Sequence, residues 1–154
     1  MKAKQFLTMA FLVAASSFIY SFVTPMGGEG FEIYLDNKLV LQQFNQQMKE
    51  KKNIQLTAAH SKSELKVKYY HCGMAGKSRT LELKNADQKT LKQWQFDNSE
   101  GKNFAITVAV KDIISSQEKL GNNTIYLYYS SKEAPQARLL AGIVHANKNA
   151  VTGR

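Results

Sequence analysis

Apolar and polar residues alternate along much of this chain with the two-residue period of half-buried β-strands. The cleanest run is 104–110, in which Phe104, Ile106, Val108 and Val110 are separated by small residues. Because the intervening residues are also largely apolar, the run predicts a strand in the centre of a sheet, where both faces are partly covered.

Further short runs of the same kind predict strands at 31–35, 38–44, 53–58, 65–70, 79–84, 90–96, 124–130 and 137–146. Asp36 and Asn37 separate the first two runs, and this pair tolerates the left-handed backbone of a tight hairpin. Leu91 is out of phase with Trp94 and Phe96, which indicates a β-bulge near the start of that strand.

Two connecting segments have a less definite pattern. The polar stretch 45–52 is compatible with a loop or a short helix, and the stretch 111–121 with a short crossing helix or a loop. Short strands joined by Gly, Asn, Asp and Ser turns are typical of a sandwich or a barrel. The fold class is therefore predicted to be all-β, a single antiparallel β-sandwich of about eight strands over 31–146, because the consistent strand lengths of a barrel are not evident.

The N-terminal segment has the pattern of an export signal. Lys2 and Lys4 precede an uncharged, mostly apolar run from Phe6 to Val23 that contains small residues. We predict a signal peptide at 1–23, a linker at 24–30 and a periplasmic or extracellular domain that ends in a polar tail at 147–154. An uncleaved membrane anchor is the alternative, since about 18 apolar residues approach the length that spans a bilayer.

Positive charge is concentrated in one part of the chain. The formal net charge is +9, and the stretch from Lys49 to Lys92 holds eleven basic and four acidic residues. A clustered positive field attracts anions such as acidic polysaccharides, and export makes nucleic acid an unexpected partner. The plainer interpretation is a solvated lysine-rich surface that keeps the domain soluble.

Strand phase places part of this charge beside tyrosines. Leu65, Val67 and Tyr69 are predicted to face inward, which turns Lys66, Lys68 and Tyr70 outward. The segments 65–70, 79–84 and 90–96 are predicted to form a three-stranded meander with its lysines on one side. The complete predicted binding surface is basic and rich in tyrosine, and consists of Lys66, Lys68, Tyr70, Lys77, Arg79, Tyr126 and Tyr128.

His71 and Cys72 form a second candidate site. Imidazole and thiolate are suitable ligands for zinc or copper, but no further ligand occurs at a recognisable spacing. A packed corner with a buried, inert thiol is the favoured interpretation, because free cysteine usually behaves as a small apolar residue. With one cysteine in the sequence, the chain forms no internal disulfide.

No catalytic motif accompanies these residues. The sequence lacks a G-x-S-x-G elbow and a complete phosphate-binding loop. We therefore expect a non-enzymatic binding module without a cofactor, which engages an anionic glycan, an envelope component or a protein. A metal- or thiol-dependent envelope protein and a purely structural or oligomerising domain are the alternatives, and membrane contact is expected only if the N-terminal segment is uncleaved.

Overall fold

The structure is a computed structural model that describes residues 28–99 and 104–145. The predicted signal peptide at 1–23 and polar tail at 147–154 lie outside the described residues, as does most of the predicted linker. In chain order, the described strands are β1 (Glu29–Leu35), β2 (Lys38–Phe44), β3 (Asn53–Leu56), β4 (Glu64–His71), β5 (Arg79–Lys84), β6 (Thr90–Phe96), β7 (Ile106–Ala109), β8 (Ile125–Ser130) and β9 (Arg138–His145).

The strands form two sheets that enclose one hydrophobic core. The first sheet has the order β2-β1-β4-β7, and the second has the order β3-β9-β8-β5-β6. Alternate residues of β4, β5 and β8 point into the space between the sheets, as the period of the sequence predicts, whereas the burial of β9 does not alternate. The predicted β-sandwich is confirmed, with one departure from antiparallel pairing, because β3 runs parallel to β9.

One helix, α1 (Val110–Glu118), connects the two sheets. It follows β7 of the first sheet and precedes β8 of the second, and it buries Val110, Ile113, Ile114 and Gln117. The Gln117 amide donates to the carbonyls of Asn123 and Ile143, which joins the helix to the second sheet. Of the two structures compatible with the stretch 111–121, the short crossing helix is therefore the one observed.

Local turn chemistry follows the sequence closely. Asp36 and Asn37 have φ values of 49° and 67°, as the predicted hairpin between β1 and β2 requires. In the pair β5–β6, Leu83 lies opposite Lys92 and Lys84 opposite Thr90, so that Leu91 is the extra residue of the predicted bulge. The 45–52 stretch contains a 3₁₀ turn at Asn45–Lys49.

Several element predictions are wrong. The run 104–110 does not form a central strand. β7 lies at the edge of the first sheet, and it is four residues long because the chain enters α1 at Val110. The predicted linker ends early, since β1 begins at Glu29. The third strand stops at Leu56, and Ala58 begins a second 3₁₀ turn (Ala58–Lys62).

The predicted three-stranded meander is also wrong. β4 belongs to the first sheet, whereas β5 and β6 belong to the second. The chain crosses from one sheet to the other through the turn that contains Cys72 and Gly73. Lysines on β4 and β5 consequently lie on opposite outer faces of the sandwich. Within 28–99 and 104–145, no helix is long and apolar enough to cross a membrane.

Candidate functional site

The structure brings three of the predicted binding residues together on the outer face of the first sheet. Lys66, Lys68 and Tyr70 are half-buried there, at alternate positions of β4. Leu65, Val67 and Tyr69 fill the intervening positions and are buried in the core. The predicted facing of this strand is therefore confirmed.

Tyr126 and Tyr128 point outward as predicted, but they belong to the second sheet. The Lys84 ammonium lies 5.1 Å from the centroid of the Tyr128 ring and 3.1 Å from a Glu82 carboxylate oxygen. These tyrosines thus have their own charged neighbours, on the opposite side of the molecule from Tyr70. The predicted single binding surface is therefore divided into two, one on the outer face of each sheet.

Arg79 does not belong to either outer face, which corrects its predicted place on the basic surface. Its side chain is 8% exposed and points inward. Its Nε donates to the Asp97 carbonyl at 2.7 Å, and its Nη1 donates to the Phe104 carbonyl at 2.5 Å. Lys77 is exposed in the turn before β5, outside both sheets.

An aromatic row crosses the outer face of the first sheet. Tyr70 lies between Phe44 and Phe104, with ring centroids 5.7 Å and 5.1 Å away respectively. Gly30 of β1 is paired with both Phe44 and Tyr70, and it lacks the side chain that would separate them. A Cβ atom built on Gly30 would stand 2.1 Å from Cδ1 of Phe44. The glycine therefore allows the row to form.

A carboxylate and two phenols lie next to the row. The Tyr34 and Tyr70 hydroxyls both donate to Oε2 of Glu32, at 2.6 Å and 2.9 Å. Burial and then the bond to Glu32 raise the pKa of Tyr70 to about 12. The same carboxylate raises the pKa of Tyr34. Both phenols therefore remain protonated at neutral pH and hold Glu32 in place.

The lysines of this face make no salt bridge with Glu32, although Lys68 lies opposite Glu32 in the pairing of β4 with β1. The Lys66 ammonium donates to the amide oxygen of Asn37 at 2.7 Å. The Lys68 ammonium stands 5.1 Å from the centroid of the Tyr34 ring. Within the described residues, neither lysine is paired with a carboxylate. The face thus combines aromatic rings with two cations, the hydrogen-bonded Glu32 and, at the first position of β4, the exposed Glu64.

His71 and Cys72 do not form a joint site. His71 is 5% exposed, with its Nε2 at 2.9 Å from the Tyr129 hydroxyl, whereas Cys72 is exposed in the turn after β4. The predicted buried thiol is wrong, because a φ of 53° at Cys72 turns the chain out of the sheet. In the part of the chain that the structure describes, no group of three or more His, Cys, Asp and Glu residues is arranged to hold a metal ion.

A cleft of about 250 Å³ adjoins one end of the aromatic row. Tyr70 and Phe104 line both features. The other lining residues come from the end of β4, the turn after it and the end of the segment after β6: Tyr69, His71, Gly73, Met74, Ala75 and Ser99. Met74 is 60% exposed. The face is therefore flat over the sheet and concave beside it.

Four residues of this face were not predicted from the sequence: Glu32, Tyr34, Phe44 and Phe104. A signal for the first two was present, since Phe31, Ile33 and Leu35 share one phase of β1 and place Glu32 and Tyr34 on the other. No comparable signal exists for Phe44 and Phe104, whose contact with Tyr70 depends on long-range pairing.

Among known proteins, no family model matches the chain, and no curated protein is significantly similar to it in sequence.

Proposed function

We propose that this protein is an exported, non-enzymatic module that binds an acidic glycan on the outer face of the first sheet. The observation that carries the proposal is the aromatic row beside two lysines that have no carboxylate partner in the described residues. Residues that pack in this way offer a ligand both apolar contact and positive charge.

Each component of the face has a role that sugar chemistry requires. The C–H faces of sugar rings are apolar and pack on flat aromatic surfaces, which here are supplied by Phe44, Tyr70 and Phe104. Lys66 and Lys68 attract carboxylate or sulfate groups that the glycan carries. The Glu32 carboxylate already accepts two phenol hydrogen bonds, so it serves to orient Tyr34 and Tyr70.

Rigidity of the face supports binding. Hydrogen bonds fix the two tyrosines, and the strand pairing of β1 with β4 fixes their spacing. A surface that is ordered before the ligand arrives loses less conformational entropy when it binds. A sheet face is also open along its length, so it suits a polymer better than an enclosed pocket does.

Calorimetric titration with size-matched oligosaccharides tests the proposal. The probes are a hyaluronan octasaccharide, which carries carboxylates, a heparin octasaccharide, which also carries sulfates, and uncharged cellohexaose. We expect the acidic probes to bind and cellohexaose to bind more weakly. Lys66→Glu/Lys68→Glu should abolish binding of the acidic probes, and Tyr70→Ala should weaken it about tenfold.

Two control variants match these changes away from the face. Lys111→Glu/Lys119→Glu makes the same change in charge at an exposed position of α1 and at the exposed residue that follows it, and Tyr126→Ala removes a tyrosine from the second sheet. Both controls should retain binding. The proposal fails if neither acidic probe binds, or if the controls lose as much affinity as the face variants do.

A further inference from the structure

The two sheets have four edge strands, and three of them carry features that discourage pairing with another chain. β3 and β7 are only four residues long. β2 begins at the exposed Lys38, and its pairing with β1 shifts register between Ile33 and Tyr34. Short strands, irregular pairing and lysines are the usual protections of a sheet edge. The fourth edge strand, β6, is seven residues long and is less protected.

Most of β6 is regular and carries little charge. Its extra residue, Leu91, lies near the start of the strand, and from Lys92 to Phe96 the pairing with β5 is continuous. Lys92 is the one charged residue of the segment 92–96. Its ammonium lies 3.0 Å from a carboxylate oxygen of Asp112 on α1. The edge formed by 92–96 therefore has no uncompensated charge to repel a neighbouring strand.

The chain beside each undescribed segment lies away from the outer side of β6. Ser99 and Phe104 flank the segment 100–103: Ser99 hydrogen-bonds with the chain between β4 and β5, and Phe104 packs on β4 of the first sheet. Gly28 precedes β1 of the first sheet, and His145 ends β9, which β8 and β5 separate from β6. Among the described residues, β5 is the one strand that pairs with β6.

Aromatic side chains are incompletely covered at this edge. Leu81 of β5 is fully buried, whereas Trp94, which lies opposite it on β6, is half-buried, as is Phe96. Gln93 and Gln95 occupy the alternate positions and are exposed on the outer face. Aromatic side chains that pair across neighbouring strands stabilise a sheet. A further strand beside β6 would therefore cover these rings favourably.

We propose that a second copy of this chain supplies that strand. The two β6 strands pair antiparallel about a two-fold axis at Trp94, and the second sheets of the two copies join into one continuous sheet. Trp94 then faces its own counterpart, Lys92 faces Phe96, and Gln93 faces Gln95. These pairs are favourable, since rings pack on rings, a cation attracts the face of a ring, and amides both donate and accept hydrogen bonds.

Symmetry and charge favour a second copy over an unrelated strand. The segment 92–96 has long or aromatic side chains at positions 92, 94 and 96 and glutamines between them, so it has the same pattern in both directions. An axis at Trp94 is also the one that uses the whole regular segment. The formal net charge of +9 makes copies repel one another in general, but the ion pair of Lys92 with Asp112 reduces that repulsion at β6.

Such a dimer has a consequence for the proposed binding face. The two-fold axis of an antiparallel strand pair is perpendicular to the sheet, so the outer faces of both first sheets point to the same side of the dimer. Two linked binding faces hold a polymer more tightly than one face does. This consequence rests on the proposed function, whereas the dimer itself does not.

Sedimentation velocity and fluorescence test the dimer directly. Trp94 is the single tryptophan of the sequence, so its fluorescence reports on the proposed axis. As the protein concentration rises, sedimentation should show a reversible monomer–dimer equilibrium, and quenching of Trp94 by acrylamide should decrease in parallel. A protein that stays monomeric up to its solubility limit overturns the inference, as does a dimer that leaves the quenching of Trp94 unchanged.

Two double variants at exposed positions test the register. Gln93→Lys/Gln95→Lys places lysines opposite each other and should weaken dimerisation at least about tenfold, because like charges directly opposite on two strands repel. Gln93→Lys/Gln95→Glu places each lysine opposite a glutamate and should dimerise at least as well as the wild-type protein. Failure of this second variant to dimerise contradicts the axis at Trp94. Circular dichroism of each variant confirms that the fold is retained.

A matched control adds the same charge away from β6. Gln46→Lys/Gln55→Lys changes exposed positions on a 3₁₀ turn and on β3, and it should dimerise as the wild-type protein does. An equal loss of dimerisation in this control would show that total charge is responsible and would overturn the inference. Protection of Trp94 by an unrelated extended peptide, in a protein that stays monomeric, would assign the edge to another partner and also overturn it.

Hyaluronan of two lengths tests the consequence for binding. The octasaccharide should bind Gln93→Lys/Gln95→Lys and the Gln46→Lys/Gln55→Lys control alike, whereas long hyaluronan should bind the control at least about tenfold more tightly. Equal affinity of the two variants for the long polymer contradicts the common orientation of the two faces. Failure of hyaluronan and heparin of any length to bind refutes the proposed function and leaves the dimer to be decided by sedimentation.

Discussion

Tyr69 of the first sheet stacks on Tyr129 of the second, with ring centroids 4.2 Å apart and ring planes 14° from parallel. The Tyr69 hydroxyl donates to Glu29, which also pairs with Arg138. Burial, strengthened by Glu29, raises the pKa of Tyr69 well above its ordinary value, and burial raises that of Tyr129 to about 12. The two protonated phenols thus join the sheets at the end of the core nearest the proposed site.

Removal of the Tyr129 hydroxyl should destabilise the fold. Tyr129→Phe keeps the stacked ring but removes the hydroxyl that lies 2.9 Å from Nε2 of His71. The remaining neighbour of Nε2 is Oγ of Ser131, and its distance of 3.5 Å is too long for it to replace the lost hydrogen bond. An unsatisfied buried polar atom costs about 1 to 3 kcal/mol in the free energy of unfolding. Urea denaturation measures this, with Tyr128→Phe on the outer face as a control that should change stability by less than about 0.5 kcal/mol. Equal losses in the two variants would contradict the role assigned to the hydroxyl.

Protonation of His71 should make stability depend on pH. Burial is the largest effect and lowers the pKa of His71 below its ordinary value of 6.5. Glu133 and Glu29 oppose it, and Arg79 adds the smallest contribution, in the same direction as burial. The unfolded chain therefore binds more protons than the folded protein just below pH 6.5. Stability from this group is complete above the unfolded pKa and is lost as the pH falls from there through the folded pKa.

The urea midpoint of the wild-type protein should accordingly decrease between about pH 7.5 and 5.5, a window that lies above the ordinary range of carboxyl pKa values. His71→Gln should remove most of this decrease, because it removes the buried imidazole. A wild-type midpoint that rises as the pH falls would refute the assignment.

Gly30→Ala should damage both stability and the proposed binding face. The added Cβ would overlap the Phe44 ring, so the ring must leave its place beside Tyr70. We expect a loss of about 1 to 3 kcal/mol, together with weaker binding of the acidic oligosaccharides.

Combining Gly30→Ala with Phe44→Ala relieves the overlap with the ring but leaves the Gln43 carbonyl oxygen 2.9 Å from the new Cβ. Because the overlap with the ring is absent in the double variant, its loss of stability should be smaller than the sum of the two single losses. Strict additivity in urea denaturation would show that the glycine is not required by the ring.

Arg79→Met should act on stability, since the guanidinium binds two carbonyls inside the protein. Loss of the bonds to Asp97 and Phe104 should cost about 2 to 4 kcal/mol, because hydrogen bonds from charged donors are stronger than neutral ones. Lys77→Met, at an exposed position two residues earlier, should cost less than about 0.5 kcal/mol. A thermal melt of both variants decides whether Arg79 is an interior group or a surface cation.

The two-residue period predicted the facing of β4 and β8 correctly, because burial of alternate residues is a local property of a strand. The same period also indicated the orientation of Arg79, which shares the phase of Leu81 and Leu83. Its charge predicted an outward position instead, and the sequence does not reveal the two carbonyls that accept hydrogen bonds from the guanidinium. Cys72 was predicted to be buried, but the backbone turns outward directly after His71 and the thiol is exposed.

Which sheet each strand joins was not predictable from alternation. Tyr70 and Tyr126 have the same local pattern, yet long-range pairing places them on opposite sides of the sandwich. The aromatic row depends on the same pairing, because Phe44 reaches Tyr70 only across Gly30. The run 104–110 shows a second limit of the sequence pattern. Its alternation continues to Val110, but the strand ends at Ala109 and Val110 begins α1.

The parallel pairing of β3 with β9 has a consequence for the order of folding. Ile54 lies opposite Ile143, and β9 is the strand that joins β3 to the rest of its sheet. During synthesis, β3 must therefore wait for almost the whole chain before it can dock, whereas the β1–β2 hairpin can form at once. Contacts so distant in sequence slow folding. A chain that closes its second sheet last stays unfolded longer, which suits passage across a membrane under the proposed export.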